Sequence, residues 1–139
     1  NAQVLKSNIS SLSKEVDSIA KHFSKDTLSE IFESLEKDKS EWAKSTLEVL
    51  SKKSPTSMGV ALKQLSLAKN LSLKECLIME FRICQAMMAK NDFYEGVRAN
   101  LVDKDRNPKW DPESINEVTE KIVNEHFQSL GERELFYNE

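Results

Sequence analysis

The sequence predicts an all-α fold of about six to seven helices. Apolar residues recur at three- and four-residue steps along most of the 139-residue chain, which is the spacing of one face of a helix. Only three glycines and three prolines are present, so the chain has few of the residues that separate the strands of a β fold. A content of 39% hydrophobic and 31% charged residues is typical of a globular protein about one domain long.

The first two predicted helices are separated by a short connection. An apolar stripe over residues 12–23 predicts a helix that ends near Ser24. Thr27 followed by Glu30 forms a capping box, in which the hydroxyl and the carboxylate each satisfy an otherwise unpaired backbone amide. This pattern predicts a short second helix over about 26–37.

The third and fourth predicted helices meet at the dipeptide Ser54-Pro55. The third helix carries an apolar stripe over residues 42–50, and it stops before this dipeptide because proline disfavours helical geometry in the residue before it. Ser54 is then the N-cap and Pro55 the first residue of the fourth helix. That helix follows an apolar stripe over residues 58–68 and ends at Asn70.

The fifth predicted helix is the expected core of the protein. A capping box from Ser72 to Glu75 starts it, and apolar residues cover most of its circumference, which is typical of a helix buried between neighbours. These residues are Leu73, Cys76, Leu77, Ile78, Met79, Phe81, Ile83, Cys84, Met87 and Met88. Glu80 lies among them, and we expect a lysine or arginine of another helix to pair with it, because a carboxylate in apolar surroundings needs a partner.

Two more helix starts are predicted in the last third of the chain. Asp92 and Glu95 have the spacing of a third capping box, which predicts a helix through Val102. Asp111-Pro112 repeats the arrangement of a cap followed by proline, and it predicts a last helix that ends at Gly131.

These helices place one helical domain over residues 11–130. We interpret residues 1–10 as a cloning remnant and flexible lead, and residues 131–139 as a tail. The net charge is −3, with −6 concentrated in residues 111–139, which argues against nucleic acid as a partner because such a surface needs clustered basic residues. No apolar run approaches the roughly 20 residues that span a bilayer, so no membrane association is expected.

Residues with catalytic or metal-binding chemistry are few. His22 and His126 are far apart in sequence and lack a second ligand at metal spacing, so we interpret both as ordinary helix residues. Cys76 and Cys84 lie in an apolar stripe and are interpreted as core residues of a protein from a reducing compartment. The sequence therefore predicts no catalytic residue, no metal site and no cofactor in this chain.

The stretch from Asn91 to Pro112 carries the most specific motif. Its three blocks, in order, are Glu95-Gly96-Val97-Arg98-Ala99, Asp103-Lys104-Asp105 and Pro108-Lys109-Trp110. This order resembles a C-terminal helix of the crotonase superfamily, the enoyl-coenzyme A hydratases and their relatives. Two upstream blocks resemble the hydroxyacyl-coenzyme A thioester hydrolases of this superfamily at similar distances, namely Ser54-Pro55-Thr56-Ser57 and Met79-Glu80-Phe81-Arg82. The resemblance covers about residues 12–130.

The resemblance implies that the chain is the C-terminal helical part of a two-part enzyme that hydrolyses an acyl-coenzyme A thioester in valine breakdown. The oxyanion hole and catalytic carboxylates would then lie in a missing N-terminal catalytic domain, and the chain alone would be inactive. Coenzyme A would be part of the substrate rather than a cofactor. The resemblance further implies location in the mitochondrial matrix and a helical part that serves self-association and contact with coenzyme A.

Lys104 matches the motif lysine that approaches phosphate or adenine in hydratase relatives, and a surface ion pair is the alternative role. The match is offset by one residue, and Asp105 stands where a basic residue is expected. Gly96 and Trp110 are interpreted as packing residues. Two other functions stay open, a free-standing helical protein-interaction domain with a Met-rich central helix, and the same region of an enoyl-coenzyme A hydratase or isomerase.

Overall fold

The structure is a computed structural model that describes residue 13 and residues 15–136. The chain divides into two compact units, Asn1–Lys52 and Lys53–Glu139. The described residues form seven α-helices, short 3-10 and π-helical segments and no strand, which confirms the predicted all-α class and helix number. The predicted lead over residues 1–10 and the end of the tail lie outside the described residues. In the described part of the chain, no helix combines the length and the apolar character needed to cross a bilayer.

The first unit contains three helices, α1 over residues 15–23, α2 over Leu28–Lys37 and α3 over Glu41–Leu50. The capping box that starts α2 is confirmed. The Glu30 N–H donates to the Thr27 hydroxyl at 3.2 Å, and the Thr27 N–H donates to the Glu30 carboxylate at 3.1 Å. The unit's apolar core contains Ile31, Leu35 and Ala43.

A polar cluster around Asp38 connects the three helices of this first unit. The Asp38 carboxylate accepts hydrogen bonds from Lys21 at 2.6 Å and from the Ser40 N–H at 2.8 Å. The same carboxylate lies 3.0 Å from Nε2 of His22. The second ring nitrogen of His22 lies 2.8 Å from the Ser34 hydroxyl. The hydrogen bond from Lys21, followed by that from Ser40, holds the pKa of Asp38 well below its ordinary value. His22 is completely buried and both its nitrogens are engaged, so it has a structural role.

The second unit begins with α4 over Pro55–Ala68 and α5 over Leu73–Met88, followed by α6 over Asn91–Val97. A π-helical turn over Arg98–Val102 continues α6, so the predicted helix end at Val102 is confirmed. The predicted caps of α4 and α5 are also confirmed. Ser54 accepts from the N–H of Ser57 at 3.1 Å, and Ser72 and Glu75 form a complete capping box.

The single last helix predicted from Asp111-Pro112 to Gly131 is wrong. Instead the chain forms a 3-10 turn over Ile115–Glu117, the short helix α7 over Glu120–Asn124, and 3-10 turns over Glu125–Phe127 and Gly131–Arg133. Ser114 and Thr119 each accept a backbone N–H and restart the chain. The N–H of Asp111 donates to Asp92 at 2.9 Å, so this backbone is committed to a tertiary contact rather than to a helix start. Gly131 begins a turn rather than ending a helix.

The prediction that α5 is buried on most sides is also wrong. Among its described residues only Met79 is fully buried, whereas the Leu73 side chain is 78% exposed and Leu77, Cys84 and Met88 are also exposed. Helical periodicity identified the residues that share a stripe, but it could not identify what covers them.

The predicted pairing of Glu80 with a basic residue of another helix is wrong as well. Glu80 is exposed, and its carboxylate accepts a long hydrogen bond of 3.4 Å from the Gln64 amide. Because water solvates this carboxylate, no positive partner is needed to offset desolvation. The neighbouring Arg82 instead donates to Glu134 at 2.7 Å, which attaches the residues after Gly131 to α5.

Candidate functional site

Arg98 is the centre of an ionic cluster within the Asn91–Pro112 stretch. Its guanidinium donates two hydrogen bonds of 2.8 Å to the two oxygens of Glu95. It also donates to Asp103 at 2.6 Å and to Asp105 at 2.7 Å, and it reaches the Asn107 carbonyl at 3.3 Å. A planar guanidinium can make this many directed bonds at once, which an ammonium cannot. One side chain therefore connects α6 to the loop that follows it.

The electrostatics of this cluster favour the charged forms of Glu95, Asp105 and Arg98. The hydrogen bonds from Arg98, and then from the Lys109 N–H, lower the pKa of Glu95 from 4.5 to about 2. Arg98 also lowers the pKa of Asp105, while Glu95 and the two aspartates raise the pKa of Arg98 above its ordinary value. A carboxylate whose pKa is far below neutral is a poor general acid or base at pH 7. The cluster is therefore suited to fixing a loop rather than to proton transfer.

The stabilising effect of Arg98 is expected to depend on pH in acid. A carboxylate with a lowered folded-state pKa contributes stability that is complete above its unfolded value and disappears as pH falls through the folded one. For Glu95 this window extends from about pH 4.5 down to about pH 2. The loss of stability caused by Arg98→Gln, measured by urea denaturation, should be largest at neutral pH and shrink across this window. Arg133→Gln, a change at an exposed arginine, is the control, and an Arg98→Gln effect that does not change with pH would contradict the account.

Asp92 is a second anchor of the same stretch, and it corrects a sequence prediction. The expected capping box with Glu95 is absent, because α6 has Lys90 at its N-cap position and no side-chain cap. The Asp92 carboxylate, in a residue only 8% exposed, instead accepts from the Ser54 hydroxyl at 2.6 Å and from the Asp111 N–H at 2.9 Å. The upstream block that begins at Ser54 is therefore in direct contact with the Asn91–Pro112 stretch.

The predicted packing role of Gly96 and Trp110 is confirmed. A Cβ atom built on Gly96 would lie 3.3 Å from the Trp110 indole, which is closer than most carbon atoms of neighbouring side chains approach. The partner of the glycine is the indole of the following loop rather than the backbone of a second helix. Gly96 thus allows Trp110 to lie directly against α6.

Lys104 lies in the loop that Arg98 holds. It is exposed, and its backbone has a φ of 58°, in the left-handed region that residues with a side chain seldom adopt. Its two neighbours in the sequence, Asp103 and Asp105, both accept hydrogen bonds from Arg98. The role of Lys104 as a contact for coenzyme A stays a prediction.

An open cleft of about 470 Å³ lies beside the ionic cluster. Its lining residues are Asn91, Glu95, Arg98, Asp105, Asn107 and Lys109. Arg98 binds the Glu95 and Asp105 carboxylates that line it, and neither histidine nor cysteine is among its lining residues. Among the described residues, no three histidine, cysteine, aspartate or glutamate side chains are grouped as metal ligands. His126 is buried elsewhere in the unit and contacts the Ile122 carbonyl at 2.9 Å.

Sequence reasoning missed the roles of Arg98 and Asp92. The sequence analysis assigned a candidate role to Lys104, whereas Arg98 was only one residue of the family motif. The sequence feature that could have identified Arg98 is the spacing of acidic residues around it. One lies three residues before it, and two lie five and seven residues after it. Only the first of these spacings is a helical one, so the cluster depends on the turn that follows α6.

Solved enzymes that act on acyl-coenzyme A share this fold. A carnitinyl-CoA dehydratase from Mycobacterium thermoresistibile matches 91% of the chain with a TM-score of 0.84 and 31% identity, over 36% of its own length. An enoyl-CoA hydratase from Rhodobacter sphaeroides matches 89% of the chain with a TM-score of 0.83 and 30% identity, over 37% of its length. The helices described above therefore form part of a crotonase-type fold.

The chain belongs to the enoyl-CoA hydratase/isomerase family, whose sequence profile matches residues 1–127. Two curated relatives are named mitochondrial 3-hydroxyisobutyryl-CoA hydrolase. The human protein is 47% identical over 124 residues, which are 89% of this chain and 32% of that protein. The Dictyostelium discoideum protein is 46% identical over 128 residues, which are 91% of this chain and 34% of that protein. The chain thus spans about a third of the length of the curated relatives it matches.

Proposed function

We propose that this chain is the C-terminal helical part of an enzyme that hydrolyses 3-hydroxyisobutyryl-CoA in valine catabolism, in the mitochondrial matrix. The observation that carries the proposal is the 47% identity to the human enzyme of that name over 124 residues. The similarity to the Dictyostelium discoideum enzyme over 128 residues supports the same substrate. Acyl-coenzyme A is the substrate in this proposal, and no separate cofactor takes part.

Within such an enzyme the chain has a supporting role, and alone it is inactive. The Glu95 and Asp105 carboxylates are held in their charged form by hydrogen bonds from Arg98, and both histidines are buried and absent from the lining of the cleft. These observations support a division of labour in which a missing N-terminal catalytic domain supplies the oxyanion hole and the base. The chain contributes packing and, through Lys104, a contact to coenzyme A.

Apolar side chains of α5 are exposed in the chain alone, which supports their burial against another surface in the complete enzyme. Leu73, Leu77 and Met88 have the spacing of one side of α5 and are all exposed, and large apolar patches are typical of interaction surfaces. The proposal assigns this surface to the catalytic domain or to a second copy of the chain. Sedimentation of the isolated chain tests the second assignment, because self-association would appear as a dimer and its absence would leave the catalytic domain as the partner.

The substrate is tested on the full-length protein that contains this chain. We expect release of free thiol from 3-hydroxyisobutyryl-CoA, followed with a thiol reagent, and no hydration of crotonyl-CoA, followed by loss of its enoyl absorbance. Hydration without thiol release would favour the alternative that the solved enoyl-CoA hydratase suggests. If the protein catalysed neither reaction, the result would favour a helical interaction domain.

A further inference from the structure

A serine, a histidine and an aspartate form a connected row of polar groups in the first unit. The Ser34 hydroxyl lies 2.8 Å from Nδ1 of His22, and Nε2 of the same ring lies 3.0 Å from the Asp38 carboxylate. Ser34 lies on α2, Asp38 is the C-cap of α2, and His22 lies on α1. These contacts give His22 its structural role, and they also place hydroxyl, imidazole and carboxylate in the order that activates a serine nucleophile.

The Asp38 carboxylate determines which ring nitrogen of His22 carries the proton. The hydrogen bond from Lys21 holds the pKa of this carboxylate well below its ordinary value, so at neutral pH the carboxylate is ionised and can only accept hydrogen bonds. The proton between Asp38 and the ring therefore belongs to Nε2 of His22. In the neutral ring Nδ1 is then the acceptor, and it faces the Ser34 hydroxyl. The neutral imidazole is thus oriented to remove a proton from Ser34.

The serine and the histidine differ in their exposure to solvent. Ser34 is partly exposed, so a molecule in solution can approach this residue. His22 is completely buried, and its ring stacks on the Trp42 indole with the ring centroids 5.8 Å apart. The base is therefore held in one orientation behind the nucleophile, and such fixed geometry increases reactivity.

We propose that Ser34 is an acyl-acceptor site, which takes one acyl group from an acyl thioester such as an acyl-coenzyme A. The Ser34 oxygen attacks the carbonyl carbon of the thioester, and the carbon–sulfur bond breaks. The hydroxyl proton passes through Nδ1 of His22 to the departing thiolate. The products are a serine ester and a free thiol, so no other reactant is needed. Any acyl thioester contains the reacting bond, and this site is therefore independent of the substrate that the complete enzyme hydrolyses.

The same geometry limits the reaction to one acyl group per chain. Ser34 lies within α2, where backbone N–H groups bond to carbonyl groups of the helix, so these donors are not available to stabilise an oxyanion. The His22 ring is closed to solvent, so it cannot activate the water that would hydrolyse the ester. The transfer is therefore slow and stops at the serine ester.

The test compares two serines of α2 in the unmodified 139-residue chain. Ser29 is exposed and serves as the internal control for Ser34. The chain is incubated at neutral pH with acetyl-CoA and, separately, with the activated ester p-nitrophenyl acetate, and acetylated peptides are located by mass spectrometry. Hydroxylamine cleaves serine esters but not lysine amides, which separates the two products. We expect Ser34 to be acetylated about a hundredfold faster than Ser29, the lower end of the range for general base catalysis.

Three substitutions identify the groups that carry this effect. Ser34→Ala should abolish the ester at this position, and Ser29→Ala should leave the rate at Ser34 unchanged. His22→Gln should reduce the rate at Ser34 to that at Ser29, because glutamine is not a base at neutral pH. Circular dichroism shows whether each variant keeps its helices.

Equal acetylation of Ser34 and Ser29 in the unmodified chain would overturn the proposal, and this comparison needs no substitution. An unchanged rate at Ser34 in a folded His22→Gln chain would also overturn it, because the histidine would not be the base. If Ser34 reacted with p-nitrophenyl acetate but not with acetyl-CoA, thioesters would be ruled out as donors and the assignment would fail.

Discussion

Replacing Asp92 with asparagine is expected to destabilise the second unit by about 1–3 kcal/mol, the range for losing one hydrogen bond to a buried charged group. The carboxylate accepts from the Ser54 hydroxyl and from the Asp111 N–H. Asparagine has one oxygen and one NH₂ group, so one of these two donors would lose its acceptor. The Ser54 hydroxyl already accepts from Ser57, which limits its freedom to rearrange.

This effect is measurable because each unit contains one tryptophan. In a Trp42→Phe background, the fluorescence of Trp110 reports urea unfolding of the second unit. Glu113→Gln, a carboxylate-to-amide change at an exposed position of the same unit, is the control and should change stability by less than about 0.5 kcal/mol. If Asp92→Asn were as mild as this control, the Ser54 to Asp111 connection would not be a structural anchor.

Replacing Leu35 with alanine is expected to destabilise the first unit by about 2–5 kcal/mol. This side chain is only 1% exposed, and truncation of a buried leucine removes apolar burial and leaves a cavity. In a Trp110→Phe background, Trp42 fluorescence reports the unfolding of this unit. For a small unit a loss of this size is a large part of the total stability.

Val49→Ala is the control for this second prediction. It truncates an apolar side chain of the same unit that is 52% exposed, so it should change stability by less than about 0.5 kcal/mol. Equal effects of the two substitutions would mean that Leu35 is not part of a packed core in solution.

Local capping patterns were predictable from the sequence because their partners lie three residues apart. The box of Thr27 with Glu30 and that of Ser72 with Glu75 form as expected. The same spacing misled at Asp92, since tertiary donors there take the carboxylate that would otherwise cap a helix. The spacing of two residues cannot show whether a carboxylate will accept from a backbone N–H of its own helix or from a donor elsewhere in the fold.

The irregular last segment was not predictable for a related reason. Apolar residues between Ile115 and Leu130 have helical spacing, but Ser114 and Thr119 each cap the start of a separate short segment. Each side chain competes with the backbone for hydrogen bonds, and periodicity takes no account of that competition.

The candidate site was predictable only in part. The motif located the stretch, and the family resemblance directed attention to Lys104. The arrangement of Arg98 with Asp103 and Asp105 depends on a turn whose φ values cannot be inferred from residue type, because lysine and arginine seldom adopt them. The identity of the stretch was therefore visible in the sequence, whereas its geometry required the structure.

In the proposed function, this chain supports an acyl-coenzyme A hydrolase without supplying its catalytic groups. The most direct test is hydrolysis of 3-hydroxyisobutyryl-CoA by the isolated chain and by the full-length protein, assayed side by side with coenzyme A binding to each. The account predicts turnover by the full-length protein and none by the isolated chain. Turnover by the isolated chain would contradict it, because the catalytic groups would then lie within these 139 residues.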